Sequence, residues 1–121
     1  MIQSEAIRER YLRDGLQTRL GGLAANLARI ASFADRPTEG GSYSAAVAHL
    51  LEESKWFIEW NGTTAPLETQ AELVELQIQL AVWHRAWEQR RMDERRRREM
   101  IEQARAWSNR LLELSGLLEN A

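Results

Sequence analysis

Apolar residues recur along the chain in steps of three and four, the helical period, and no stretch alternates as a half-buried strand would. Leu12, Leu16, Leu20, Leu23, Leu27, Ile30 and Ala34 form one stripe and predict a first helix over about 4–34. Ser4 is placed to cap it, with Glu5 in its first turn. Asp35-Arg36-Pro37 ends it, because a residue before proline avoids the helical region. Val47, Leu50, Leu51, Phe57 and Ile58 predict a second helix over about 44–60, with Asn61-Gly62 supplying a left-handed stop. Pro66, preceded by Thr64 as cap and followed by Glu68, opens a third helix that reaches about Arg91. It carries two apolar stripes: Leu73, Leu76, Leu80, Trp83 and Trp87, and beside them Leu67, Ala71, Val74, Ile78 and Ala81. An apolar arc wider than half the circumference makes this the helix expected to be most buried. Met100, Ala104, Trp107, Leu111, Leu114 and Leu118 predict a fourth helix ending near Glu119, or earlier at Gly116.

The join between the last two helices carries no Gly, Pro or Asn. Asp93 with Glu94 behind it can cap a new helix, although four successive arginines in that first turn oppose the dipole. A single continuous helix from Pro66 would be roughly 80 Å long and could not bury both halves in one monomer. The turn at Asp93 is therefore expected. Four helices joined by short loops give an all-α, up-down-up-down four-helix bundle, one domain over 1–121.

Composition narrows the function classes. The 121 residues suffice for one core, and there is no cysteine for a disulfide, a thiolate metal site or a thiol nucleophile. No apolar run approaches the ~20 residues of a membrane span, and residues 1–15 have no apolar segment of the secretory type. A cytoplasmic protein without membrane partner is expected. His49 and His84 lack a Glu three residues before them, so the di-iron helix spacing is missing. The carboxylates Glu52 and Glu53 after His49 would repel a phosphoryl group. No Gly-rich phosphate loop or nucleophile elbow is present. No enzyme activity, cofactor or metal site is expected.

Four groups of residues remain once the core stripes are subtracted, three on the surface and one inside. His49, Glu53, Trp56 and Trp60 share a face about 130° from the core face of their helix, and tryptophan is enriched at interface hot spots. Gly21, Ala25, Ala28 and Ser32 form a small-residue face on the first helix, which lets another helix approach closely. Gln70, Gln77 and His84 recur every seven residues and are expected to be buried and hydrogen-bonded, setting register. Arg90, Arg91, Arg95, Arg96, Arg97 and Arg98 cluster at the predicted turn, where arginine forks could clamp phosphates. Glu88, Asp93, Glu94 and Glu99 interleave with them and leave a net of +2 over 88–99. Charge is also segregated along the chain: 52–75 hold six acids and one base, 76–110 nine bases and five acids. Such a layout orients a partner or a second copy head-to-tail.

The segments Glu53-Ser54-Lys55-Trp56-Phe57-Ile58-Glu59-Trp60, 71–77 and Trp107-Ser108-Asn109-Arg110 resemble small, uncharacterised helical proteins of cyanobacteria. The resemblance covers roughly the last two-thirds of the chain. It implies a cytoplasmic protein and carries over no site residue. The expected function is protein binding without catalysis, foremost homodimerisation through the Trp56/Trp60 or Gly21–Ser32 face. The alternative is nucleic-acid binding by the Arg90–Arg98 cluster.

Overall fold

The computed structural model describes residues 5–36, 41–62 and 64–116, with the backbone alone at 41 and 42. Five helices account for nearly all of them, and there is no strand among the described residues: α1 (Glu5–Arg13), α2 (Leu16–Ala34), α3 (Gly41–Asn61), α4 (Leu67–Arg90) and α5 (Glu94–Ser115). The all-α expectation holds, but the count of four does not. The first predicted helix is two, broken at Asp14-Gly15. Gly15 takes an extended conformation (φ −68°, ψ 164°) ahead of α2. Glycine inside a helix costs about 1 kcal/mol against alanine, so the chain bends there at little expense. The bend turns α1 onto α3, where the Tyr11 ring stacks on Phe57 at 4.2 Å and 12°.

Helix α2 is the axis of the fold. It packs most extensively on α5 and next on α3, while α3 packs on α4 and α4 touches α5 sparingly. Leu20, Leu23, Leu27 and Ile30 are fully buried, as the stripe predicts. Each such side chain is worth roughly 1.5–3 kcal/mol relative to exposure. The closeness of α2 to α5 follows from small residues on both: Ala24 and Ala31 against Ala104 and Ser108, all buried. The Ser108 hydroxyl donates to the Ala24 carbonyl at 2.8 Å, which ties the two backbones together. Leu51, Leu76, Leu80, Trp83, Met100, Ile101 and Leu111 fill the remaining core.

The helix ends differ in detail from expectation. Asp93 caps α5, its carboxylate accepting from the Arg96 N–H at 3.2 Å, so the chain turns there rather than continuing. Gly116 ends α5 in the left-handed region (φ 75°), and it is the one described residue with positive φ. Gly62 is therefore not a left-handed stop. The Asn61 amide closes α3 instead, donating to the Phe57 carbonyl at 2.9 Å and to the Tyr11 hydroxyl at 2.6 Å. Thr64 does not cap α4, whose cap position is Pro66. Its hydroxyl donates to the Asn61 carbonyl and accepts from the buried Arg19 guanidinium, each at 3.3 Å. The expectations at Ser4, Pro37, Leu118 and Glu119 lie outside the described residues.

Burial pushes the Tyr11 phenol up to about 12, against the opposing pull of the Asn61 hydrogen bond. A neutral buried phenol stabilises the fold fully below the unfolded value near 10, and that contribution disappears as pH rises from 10 to 12. Thermal unfolding followed by circular dichroism should show stability falling over that interval, by on the order of 2 kcal/mol. Tyr11→Phe should remove the fall; an equally steep loss in that variant would assign it to another group.

Candidate interaction surface

Helix α4 presents one of its two apolar stripes to the core and the other to water. Leu73, Leu76, Leu80, Trp83 and Trp87 are buried. Leu67, Val74, Ile78 and Val82 are 81%, 54%, 63% and 45% exposed, and Ala71 and Ala81 between them are exposed as well. The expectation that this is the most buried helix is thus corrected. Its neighbours α3 and α5 lie on one side, and nothing in the chain's own described fold covers the other. Residues 67, 71, 74, 78 and 81 advance by four, three, four and three, a coiled-coil seam about 21 Å long. Scattered exposed apolar residues need no explanation, but a continuous stripe of this length calls for one.

Shallow grooves border this ridge on both sides. Ile58, Glu59, Gly62, Gln70, Leu73, Val74 and Gln77 line a cavity of about 240 Å³ between α3 and α4. Glu72, Gln103, Ala106, Trp107 and Arg110 line another of about 240 Å³ between α4 and α5. Arg110 closes that second gap. Its Nε and Nη2 donate to the two Glu72 carboxylate oxygens at 2.6 Å each, the one fork-to-fork ion pair between described residues. The hydrogen bond from Arg110 holds the Glu72 carboxyl below its ordinary value, against partial burial.

The polar heptad residues of α4 are not a buried layer. Gln70, Gln77 and His84 are half-buried and face α3. Gln70 donates to the Ala65 carbonyl at 2.7 Å, Gln77 reaches Glu59 at 3.5 Å, and His84 Nδ1 lies 3.7 Å from Glu52. Burial lowers the His84 pKa, aided by Lys55 and opposed by Glu52. They set how α4 sits on α3 and leave its outer stripe clear.

The Trp56/Trp60 face is largely used within the chain. Trp60 is buried at 9% exposure, its ring 5.6 Å from Tyr11 and 5.9 Å from Phe57. It is therefore a core-edge residue, and the covering element is α1. Trp56 is half-buried, stacked 6.0 Å from Trp60, with its indole N–H donating to Glu52 at 3.3 Å. Glu53 is half-buried and accepts from Asn26 at 3.0 Å, whereas His49 is exposed and 3.9 Å from Glu53. On α2, Gly21 and Ala25 are half-buried and Ala28 and Ser32 exposed, so that stripe is only partly open.

The arginine cluster surrounds the α4–α5 turn. Arg91 pairs with Glu88 at 3.0 Å, Arg95 with Glu99 at 3.4 Å, Arg96 with Asp93 at 3.9 Å and Arg98 with Asp35 at 3.2 Å. Arg97 is buried and donates to the Arg91 carbonyl at 3.2 Å, where it offsets the negative end of α4. Arg90 is half-buried. Among the described residues no three His, Asp or Glu side chains gather closely enough to hold a metal ion, and no helix is long and apolar enough to cross a membrane.

No protein-family model matches the chain, and neither curated proteins nor solved structures offer a match.

The Glu72–Arg110 fork yields a pH test. A carboxyl held low contributes stability above its unfolded value of 4.5, and the contribution is lost as pH falls through the lower folded value. Glu72→Gln should melt below the unmodified chain at neutral pH, and the gap should close as acid protonates the Glu72 carboxyl. A gap that persists in acid would mean the substitution acts through packing.

Proposed function

We propose that the protein acts by binding protein, without chemistry of its own, and that the outer stripe of α4 is its docking face, with a second copy of the chain as occupant. The reading rests on one observation: Leu67, Val74, Ile78 and Val82 stand exposed in register along a single helix face. Covering them removes apolar surface from water at about 25 cal/mol per Å². Self-association asks that a patch not oppose its twin with like charge. Along the outer face of α4 the charge changes sign, with Glu68 and Glu75 on its N-terminal side and Arg85 beyond Ala81, so an inverted second copy meets it with opposite charge at both ends; beside the middle of the stripe stand Gln77 on one flank and the exposed Glu75 on the other. The grooves beside the ridge give a partner's side chains room to interdigitate.

The second reading, phosphate binding by Arg90–Arg98, is not adopted. Five of those six arginines already have partners within the chain.

Light scattering over a concentration series tests the proposal. The unmodified chain should approach twice its 14.0 kDa mass. Ile78→Glu should stay at the single mass with its helical circular dichroism intact, since Ile78 touches no core. A chain that remains at 14.0 kDa up to about 1 mM overturns the proposal. Trp60→Glu is the contrast: it should lose helical signal, because Trp60 is buried beneath α1.

A further inference from the structure

We infer that the two copies pair through α4 in antiparallel orientation, about a two-fold axis at the level of Leu76. This rests on the self-association proposed above and adds its direction and register.

The seam positions are Leu67, Ala71, Val74, Ile78, Ala81 and Arg85, and together they span about 27 Å of helix. Two helices meeting through such a seam can run parallel or antiparallel, and charge decides between them. The first half of α4, 67–78, carries Glu68, Glu72 and Glu75 and no base. The second half, 79–90, carries Arg85 and Arg90 against Glu88. A parallel, in-register pair would set Arg85 against Arg85 in a seam layer and run the two acidic halves side by side. Like charges so placed oppose association. The antiparallel pair brings Glu68 of each copy to Arg85 of the other, two opposite-charge contacts against the single like-charge approach of Glu75 to Glu75 at the exposed rim beside the axis.

Register follows from coverage. Antiparallel seams can shift only by whole heptads, because first-type positions must meet second-type ones. With the axis at Leu76, Val74 packs on Ile78 of the other copy and Ala71 on Ala81. Leu67 then lies on the aliphatic stem of Arg85, whose guanidinium reaches Glu68 of that same copy. Moving the axis one step toward the N-terminus leaves the Ala81–Arg85 end uncovered and opposes acid to acid. Moving it one step the other way leaves Leu67, the most exposed of these residues at 81%, in water. The small layers at Ala71 and Ala81 permit close approach on either side of the large central one. The symmetry is closed, so the assembly stops at two chains.

The absence of cysteine makes thiol cross-linking a clean readout. A disulfide needs Cα atoms within about 7 Å, whereas residues 71 and 81 of one helix are about 15 Å apart. The variants are Ala71→Cys, Ala81→Cys and the double substitution, each exposed on α4 and each checked for unchanged mass before mild oxidation. The antiparallel pair should cross-link nearly completely in the double variant and stay uncross-linked in either single one. Cross-linking of both single variants means a parallel pair and overturns the orientation while leaving self-association intact. A chain that is dimeric by light scattering but fails to cross-link in any variant overturns α4 as the seam. A monomeric unmodified chain overturns the earlier proposal, and this one with it.

Discussion

The packing of α2 against α5 sets the other relations in this molecule. Small residues on both helices, Ala24 and Ala31 facing Ala104 and Ser108, bring the backbones close enough for the Ser108 hydroxyl to reach the Ala24 carbonyl. That approach uses one full face of α2, and α3 takes the next. Helix α4 must then lie across from α2, against α3, with only light contact to α5. A helix in that place can bury one face. With apolar residues on two, α4 has one left over, and the Glu72–Arg110 fork pins it with that face outward.

Much of this arrangement was legible in the sequence, and the failures have specific causes. The stripe from Leu20 to Ala34 and the set Met100, Ala104 and Leu111 were read correctly, because each helix there has one dominant apolar face. The turn at Asp93 was legible as a cap. The outer stripe of α4 is visible residue by residue in the sequence, yet its apolar spacing alone points to the core. Periodicity counts apolar positions and does not say how many neighbours a helix will have. The break at Asp14-Gly15 was masked by the unbroken four-residue step from Leu12 to Leu16. Missing it removed α1 from the inventory of elements, and with α1 the cover over Trp60. The aromatic face and the helix that hides it both turn on that one break.

The polar residues inside the fold make a related point. Asn26, Ser54 and Ser108 are buried and bonded across helices, so each fixes a pairing that apolar packing alone would leave free to slide. The Trp83 indole N–H is buried without an acceptor, a cost of about 1–3 kcal/mol that the surrounding Leu and Met packing must exceed. Arg97 is spent on the carbonyl of Arg91, the residue that ends α4, and Arg98 with Arg105 on Asp35 at the end of α2. The dense positive run in the sequence is thus, in three dimensions, a set of helix-end and inter-helix ties.

Helix α1 has a consequence of another kind. It buries no residue fully, and the Tyr11 ring and hydroxyl fasten it to α3 only four residues before the hinge at Gly15. Its release leaves the α2–α5 contact untouched, so the molecule has two tiers of stability. The lower tier is the detachment of nine residues, and the upper is the loss of the core. Amide protons along α1 therefore exchange through the cheaper opening, and a protease finds its first cut around Asp14-Gly15 while α2 through α5 are still folded.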